Sequence, residues 1–287
     1  MTEKNNVLER DQLKPIVWDA FFKDDKTNKP VVIFCHGYKG FKDWGAWNQM
    51  GEQFMQMGYC FVKFNFSFNG GTVEQPIDFP DLNAFGNNNY SIELDDLKVV
   101  LDWIETSLQN KIRASDPKLF LMGHSRGGGI CAIKSEEDER IDGLITLASV
   151  SDFKKRFNEG SEEFETWKQT GVKYVLNGRT KQDMPHFFQF YLDFKQNEER
   201  LNIKRAAENL RIPHLIIHGD QDTSVALEEA KDLHSWNQNS ILHIIEGANH
   251  VFGSSHPWDL PGLPEAMNTI CKTSDKFIKS SAYEPAN

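Results

Sequence analysis

The sequence predicts an α/β fold, in which a mostly parallel sheet is flanked by helices. Two observations support this prediction. Short, continuous apolar runs such as Val31 to Cys35 recur along the chain with helix-compatible segments between them, as expected for strands that are covered on both faces. Serine, aspartate and histidine residues closely follow several of these runs. Open α/β sheets place their functional sites in the loops that follow their strands.

The first part of the chain predicts one antiparallel strand followed by a β-α-β unit. Leu13 to Phe22 alternates, so we expect an antiparallel edge strand ahead of the main sheet. The next strands are expected at Val31 to Cys35 and at Tyr59 to Phe64. Between them, apolar residues recur at helical spacing at Trp47, Met50, Phe54 and Met57.

The next part of the chain begins with a long irregular stretch at residues 65–89, which is rich in Gly, Pro and Asn. A loop of this length inside a compact domain is usually functional or disordered. Leu94 to Leu108 then carries the apolar face of a helix, with Ser91 as a candidate N-cap. Strands are expected at Lys118 to Met122 and at Ile141 to Ala148.

The strand pattern stops between Ser151 and Arg211. This segment is rich in aromatic and charged residues and predicts helices. Strands resume at Pro213 to His218 and at Ile241 to Ile245, and Pro264 opens a final helix. We therefore expect a single domain over residues 1–287, with an insertion at residues 151–211.

The most informative motif is Gly123-His124-Ser125-Arg126-Gly127, a G-x-S-x-G between a predicted strand and a predicted helix. A serine in such a turn has a strained backbone and an exposed hydroxyl, and the two glycines relieve the crowding around it. Taken alone, the pattern also fits a capped helix start. In a nucleophile elbow, Ser125 would be the attacking group.

Two further residues complete the pattern. Asp222 follows the run Pro213 to His218, and His250 follows the run Ile241 to Ile245. A serine hydroxyl needs a base in contact with it, and that base needs an orienting acid. The chain order Ser, Asp, His, with each residue placed after a predicted strand, predicts a Ser125–His250–Asp222 triad.

Other residues compete for these roles. Asp220 is an alternative acid, although its position favours hydrogen bonds to local turn amides. Asp152 follows the predicted strand after Ser125 and is a further candidate for the acid. His256 competes with His250, but we expect it to stabilise a loop. His36 is expected to hold loops by hydrogen bonds without transferring a proton.

With these residues, the chain resembles the α/β-hydrolase superfamily, and more narrowly its dienelactone-hydrolase-like and small serine esterase branch. The resemblance runs from Pro30 to the last helix and includes His36-Gly37-Tyr38-Lys39-Gly40. In this family, the residue after such a His-Gly lends its backbone N–H to the oxyanion hole. The resemblance therefore implies Tyr38 as the first donor and Arg126 as the second.

The resemblance has two further implications. Residues 151–211 stand where these hydrolases insert a cap, so we expect a small helical lid over the site. Dienelactone hydrolases use a cysteine nucleophile, whereas this chain has Ser125, so ring-opening of dienelactone is not the first expectation.

Composition and charge exclude several classes of protein. The formal net charge is -10 and there is no dense block of Lys or Arg, which argues against nucleic acid and anionic membranes as partners. No apolar run approaches the ~20 residues of a membrane span. The four cysteines form no C-x-x-C motif and are expected to be reduced core residues. With no visible secretory signal, these features fit a cytoplasmic protein.

These observations predict a serine hydrolase that cleaves carboxylic esters of small to medium size through an acyl-enzyme, with no metal or organic cofactor. The partner is a small-molecule ester, and the oligomeric state is open. A prolyl-oligopeptidase-like peptidase, a thioesterase or an acyltransferase would use the same triad. A non-catalytic, ligand-binding hydrolase-fold protein is the alternative from another class. The Arg126 side chain is expected either to reach a substrate carboxylate or to pair with a loop acid.

Overall fold

The computed structural model describes residues 1–11, 13–25, 27–112 and 114–283. Its main sheet has the strand order β1-β2-β4-β3-β5-β6-β9-β10. The pairs β1–β2 and β2–β4 are antiparallel and the remaining pairs are parallel. The strands are β1 (Thr2–Leu8), β2 (Ile16–Phe21), β3 (Val31–Cys35), β4 (Cys60–Phe64), β5 (Leu119–His124), β6 (Ile141–Leu147), β9 (His214–Gly219) and β10 (Ser240–Ile245), with β7 (Val172–Leu176) and β8 (Asp183–Phe187) forming a separate hairpin.

Helices cover both faces of this sheet. The third helix continues through a π-helical turn at Ile104–Leu108 into the fourth. The helices are α1 (Trp47–Gln56), α2 (Leu82–Asn87), α3 (Tyr90–Trp103), α4 (Gln109–Lys111), α5 (Arg126–Glu137), α6 (Glu162–Thr170), α7 (Gln189–Gln196), α8 (Ile203–Asn209), α9 (Leu227–Trp236) and α10 (Glu265–Tyr283).

Strand β3 shows why its sequence is apolar without interruption. Its side chains alternate between two separate cores, with Ile33 in one and Val32 and Phe34 in the other. A strand with helices on both faces has no solvent-facing side. The same reason applies to β5 and β6, and the predicted mostly parallel sheet is confirmed.

The N-terminal part of the sheet differs from the prediction. Strand β2 is antiparallel as expected, but it is an inner strand, because β1 pairs with it and forms the edge. The sequence prediction missed β1. Its residues Thr2 to Asn6 are polar and mostly exposed, so the apolar signal of a strand is absent there.

Two local predictions before β5 are also corrected. The irregular stretch at residues 65–89 contains the short helix α2. The N-cap of α3 is Asn89, whose side chain accepts a hydrogen bond from the Ile92 amide at 2.9 Å. Ser91 lies inside the helix and donates its hydroxyl to Asp193.

The insertion at residues 151–211 contains the expected helices α6, α7 and α8, and also the antiparallel hairpin β7–β8. The hairpin was missed because its strands are short and half-exposed and because one contains Pro185, which weakens a strand prediction. Aromatic residues of the insertion pack against the first residue of α3, Tyr90. The Tyr90 and Phe153 rings are stacked with their centres 3.8 Å apart.

The prediction for the cysteines is confirmed, since all four are buried and none forms a disulfide. In the ranges that the structure covers, no helix combines the length and the apolar character needed to cross a bilayer.

Candidate active site

Ser125 occupies the turn between β5 and α5 and has φ of 55° and ψ of -120°. This left-handed φ is rare for a residue with a side chain. Two groups hold the turn against the end of β6: the Ser125 amide donates to the Leu147 carbonyl at 2.9 Å, and the Ser125 carbonyl accepts from the Val150 amide at 3.3 Å. The backbone strain is therefore maintained by the sheet and not by the turn alone.

The glycines of the motif are required by close backbone approach. A Cβ at Gly123 would lie 2.3 Å from the Gly127 carbonyl oxygen, and a Cβ at Gly127 would lie 2.4 Å from the Cys35 carbonyl oxygen. Both distances are far inside van der Waals contact. The elbow therefore packs directly on the carboxyl end of β3, as the motif predicts.

Asp222 and His250 meet at the carboxyl end of β9 and β10. The His250 Nδ1 lies 2.7 Å from Asp222 Oδ2. The other carboxylate oxygen accepts from the amides of Ser224 at 2.8 Å and Val225 at 2.9 Å. Burial alone would raise the pKa of Asp222, but hydrogen bonds, first from His218 and then from His250, outweigh burial and hold this pKa well below its usual range.

His218 is a neighbour of this acid that the sequence prediction missed. Its Nε2 lies 3.3 Å from Asp222 Oδ2 and 2.9 Å from the Val225 carbonyl oxygen. Because both partners are acceptors, Nε2 carries the proton. The signal was present in the sequence, since a histidine in a fully buried apolar strand requires a polar partner.

His124 holds the loop that carries His250. Its Nε2 donates to the His250 carbonyl oxygen at 2.9 Å, and the two imidazole rings are 4.8 Å apart. Burial lowers the pKa of His124 to about 3, so its ring is neutral at pH 7. Asp220 also stabilises the loop that carries His250, because its Oδ1 accepts a hydrogen bond from the Gly247 amide at 2.7 Å.

The loop His36 to Gly40 lies against Ser125. A Cβ at Gly37 would lie 2.9 Å from the Ser125 Cβ. The amide of Tyr38 follows in this loop, and Arg126 is the first residue of α5, where an N–H has no intrahelical acceptor. Among the described residues, neither amide donates to another protein group.

His36 supports this loop from behind. Its Nδ1 donates to the Gly37 carbonyl oxygen at 2.9 Å, and its Nε2 accepts from the Phe66 amide at 3.3 Å. Burial lowers the pKa of His36 to about 4. A neutral ring with both nitrogens occupied holds the backbone and is not available for proton transfer, in line with the expectation for this residue.

The segment after this loop is anchored by a buried group of charges. Lys42 and Lys63 both pair with Asp19 and with Asp43. Both lysines and Asp19 are fully buried. Buried charges of alternating sign satisfy each other, and they attach the loop to β2 and β4.

Two cavities meet at the elbow. The larger, of about 490 Å³, and the smaller, of about 250 Å³, are both lined by Tyr38, Ser125 and His250. Within the described residues, the Ser125 hydroxyl forms no hydrogen bond with another side chain, and such contacts often tighten only when substrate is bound. The insertion contributes Trp167, His186 and Phe190 to the larger cavity and Asn177 and Arg179 to the smaller.

Comparison with known proteins agrees with this geometry. A family model described as alpha/beta hydrolase fold matches residues 86–254, more than half of the chain. The chain belongs to the α/β-hydrolase family. The resemblance inferred from the sequence is thereby confirmed.

Solved structures share the fold of this α/β-hydrolase at low sequence identity. Est1E from Butyrivibrio proteoclasticus has 14% identity and a TM-score of 0.71, with 97% of this chain and 99% of that chain covered. Mouse alpha/beta hydrolase domain-containing protein 10 has 15% identity and a TM-score of 0.70, with 96% and 98% covered. The dienelactone hydrolase from Anabaena variabilis has 14% identity and a TM-score of 0.64, with 98% and 97% covered. Among curated proteins, none matches the sequence.

The Arg126 side chain of this α/β-hydrolase pairs with Glu93 at 3.1 Å. One alternative from the sequence was a pair with an acid in a loop. The acid, Glu93, lies instead in the first turn of α3. The guanidinium also lies 4.7 Å from the centre of the Tyr38 ring, whose hydroxyl is 2.9 Å from His186 Nε2 on β8. Arg126 thus links α3 and the Tyr38 loop, and Tyr38 in turn contacts the hairpin.

The competing residues of the α/β-hydrolase make other contacts. Asp152 accepts from the Lys154 amide at 2.7 Å, which stabilises its own turn. The His256 Nδ1 accepts from the Gly45 amide at 3.0 Å, which is a loop contact as expected. Asp220 does bond an amide, but that amide is in the His250 loop and not in the local turn.

Proposed function

We propose that this α/β-hydrolase is a serine hydrolase that cleaves carboxylic esters of small to medium size through an acyl-enzyme. Ser125 is the nucleophile, His250 the general base and Asp222 the acid that orients it. The observation that carries this proposal is the 2.7 Å contact from His250 to Asp222, with His250 on the same cavity walls as the strained Ser125.

The contacts assign a role to each group. Because the His250 Nδ1–H donates to Asp222, its Nε2 is left to take the proton from Ser125 as the hydroxyl attacks the ester carbonyl. The same proton is then returned to the leaving alcohol. Water, deprotonated by His250 in turn, hydrolyses the acyl-enzyme.

The backbone amides of Tyr38 and Arg126 stabilise the tetrahedral oxyanion. Both lie beside Ser125 without another protein acceptor among the described residues. A preorganised donor of this kind contributes about 3 to 4 kcal/mol to the transition state where it has been measured. The backbone supplies both donors, so replacing the side chains leaves the amides in place.

Two cavities of unequal volume that both include Ser125 in their walls fit an ester with two unequal parts. The larger cavity has aromatic walls from Tyr90, Phe153 and Phe190 and takes the bulkier, aromatic or branched part. One similar structure is that of Est1E with ferulic acid bound, an aromatic acid. For this chain we propose an aromatic or comparably large group in the larger cavity.

A fluorophosphonate probe tests this proposal. We expect a covalent adduct on Ser125, located by peptide mass spectrometry, and turnover of an activated aryl ester. The adduct and the turnover should both be lost in Ser125→Ala and in His250→Ala.

Full activity of Ser125→Ala toward the activated ester would contradict the proposal. No adduct in protein shown by circular dichroism to be folded would instead favour a ligand-binding hydrolase fold. Where Ser125 is labelled, a panel of esters, thioesters and peptides identifies the substrate class.

A further inference from the structure

The larger cavity has an unusual charge. Its lining includes four cationic side chains, Lys39, Arg126, Arg156 and Lys173, and no aspartate or glutamate among the described residues. The chain as a whole carries a formal net charge of -10. The positive lining is therefore a local property of the site and not a consequence of overall composition.

Two of these cations pair with largely buried acids. Arg126 pairs with Glu93, and Arg156 pairs with Glu229. Both acids have side chains no more than 11% exposed. These pairs are part of the walls and leave little net charge for a ligand.

The other two cations are not neutralised in this way. Lys173 has Glu163 at 3.4 Å, but that carboxylate is 70% exposed, and such a pair is screened by solvent. Lys39 forms no ion pair with any described residue, and its nearest charge-related contact is the Tyr38 ring at 5.1 Å. The net positive charge of the cavity comes from Lys39 and Lys173.

Lys39 is also held in a strained conformation. Its φ is 53°, and a left-handed backbone is unfavourable for a residue with a side chain, a cost that glycine would avoid. The residue follows the proposed oxyanion donor Tyr38 and lines both cavities together with Ser125. Strain kept at such a position points to a use for the side chain.

We propose that the ester hydrolysed by this enzyme carries a carboxylate, which Lys39 and Lys173 bind in the larger cavity. The inference rests on the proposed function, because it concerns the same Ser125 site. The aromatic walls hold the body of this part of the substrate, and the two ammonium groups select its charge. A neutral ester of the same shape offers neither ammonium group a charged partner.

The test uses two chromogenic esters of equal shape, 4-nitrophenyl 4-carboxybenzoate and 4-nitrophenyl 4-carbamoylbenzoate. Their rigid rings prevent the carboxylate from attacking its own ester. We expect kcat/KM to be higher for the carboxylate by about tenfold or more, as a charge-assisted hydrogen bond would give. High salt should reduce this ratio.

Substitutions assign the ratio to the lysines. Lys39→Gln should lower the ratio of the two kcat/KM values, the Lys39→Gln, Lys173→Gln double variant should bring it to near one, and Lys39→Arg should retain most of it. Lys98→Gln, on the exposed face of α3 where Lys98 pairs with Asp102, is the matched control and should leave both rates unchanged. Because each variant is compared on two esters, the ratio does not depend on the fraction of active protein.

The outcomes separate this inference from the proposed function. Labelling of Ser125 together with equal kcat/KM values for the two esters overturns the carboxylate inference alone. A preference that persists in a Lys39→Gln, Lys173→Gln double variant also overturns it. Absence of both labelling and hydrolysis in folded protein overturns the proposed function, and the inference with it.

Discussion

The Asp222 carboxylate shows how much of this site depends on single residues. It is buried, accepts from two backbone amides and has two histidines beside it. Ordinary burial would favour its neutral form, yet these hydrogen bonds keep it ionised. An ionised Asp222 favours the His250 tautomer with Nδ1 protonated. A general base beside Ser125 requires this tautomer, because it leaves Nε2 free to accept a proton.

Asp222→Asn tests this role. We expect kcat to fall by about three to four orders of magnitude, because the amide no longer favours the required tautomer of His250. The measurement is steady-state hydrolysis of an activated ester by the variant and the parent protein.

Asp220→Asn is the matched comparison, two residues away in the same loop. Its carboxylate only accepts from the Gly247 amide, so we expect a loss of no more than about tenfold. A greater loss of kcat in Asp220→Asn than in Asp222→Asn would show that the assignment of the acid to Asp222 is wrong.

At the scale of elements, the carboxyl ends of β3, β5, β6, β9 and β10 build the site together. The β5–α5 turn packs on β3 so tightly that Gly127 faces the Cys35 carbonyl. The hairpin β7–β8 contributes His186 to the wall of the larger cavity, and its turn contributes Asn177 to the wall of the smaller one. The strain at Ser125 persists because these neighbouring elements leave the turn no room to relax.

Gly127→Ala tests this packing. The new Cβ would lie 2.4 Å from a backbone oxygen of β3, which no side-chain rearrangement can relieve, so we expect a loss of about 3 kcal/mol in the free energy of unfolding. Chemical denaturation measures this loss. The fluorophosphonate adduct on Ser125 should also be reduced.

Gly178→Ala is the control for this substitution. No atom lies within 4 Å of a Cβ placed there, so the unfolding midpoint should stay unchanged. Equal stability of the two variants would show that the elbow is not packed as the structure has it.

At the scale of the whole molecule, the sheet separates two cores and buries several histidines. His214 on β9 is fully buried, with its Nε2 at 2.9 Å from the Thr146 hydroxyl. Burial lowers the pKa of His214 to about 3. The folded protein therefore keeps this ring neutral at pH values where the unfolded chain protonates it.

This burial predicts a pH dependence of stability. As the pH falls from about 6.5 towards 3, the unfolded chain binds a proton at residue 214 and the folded protein does not, so stability decreases. His214→Gln removes this contribution. The difference between the parent and the variant in free energy of unfolding should change by about 1.4 kcal/mol per pH unit in that range.

Urea unfolding of both proteins at neutral pH and at about pH 5 measures the effect. Parallel pH profiles for the parent and His214→Gln would contradict the burial of a neutral ring. The comparison is needed because other buried groups titrate as well, among them Asp96, whose pKa is raised to about 7 mainly by burial.

Much of the fold and of the candidate site of this protein could be predicted from its sequence alone. Continuous apolar runs locate strands that are covered on both faces, and the two glycines around Ser125 mark a turn that only small residues permit. Parallel strands end at one edge of a sheet, so the order Ser125, Asp222, His250, each after a predicted strand, predicted where the candidate triad lies. These are local or topological properties, and sequence patterns carry them.

Tertiary structure alone decided the rest. The pairing of Arg126 with Glu93 joins residues that are distant in sequence, and the edge strand β1 is a weakly apolar segment. The positive charge of the larger cavity arises only when Lys39 and Lys173 face the same space. No local pattern encodes such proximity, because it results from how the insertion packs on the sheet.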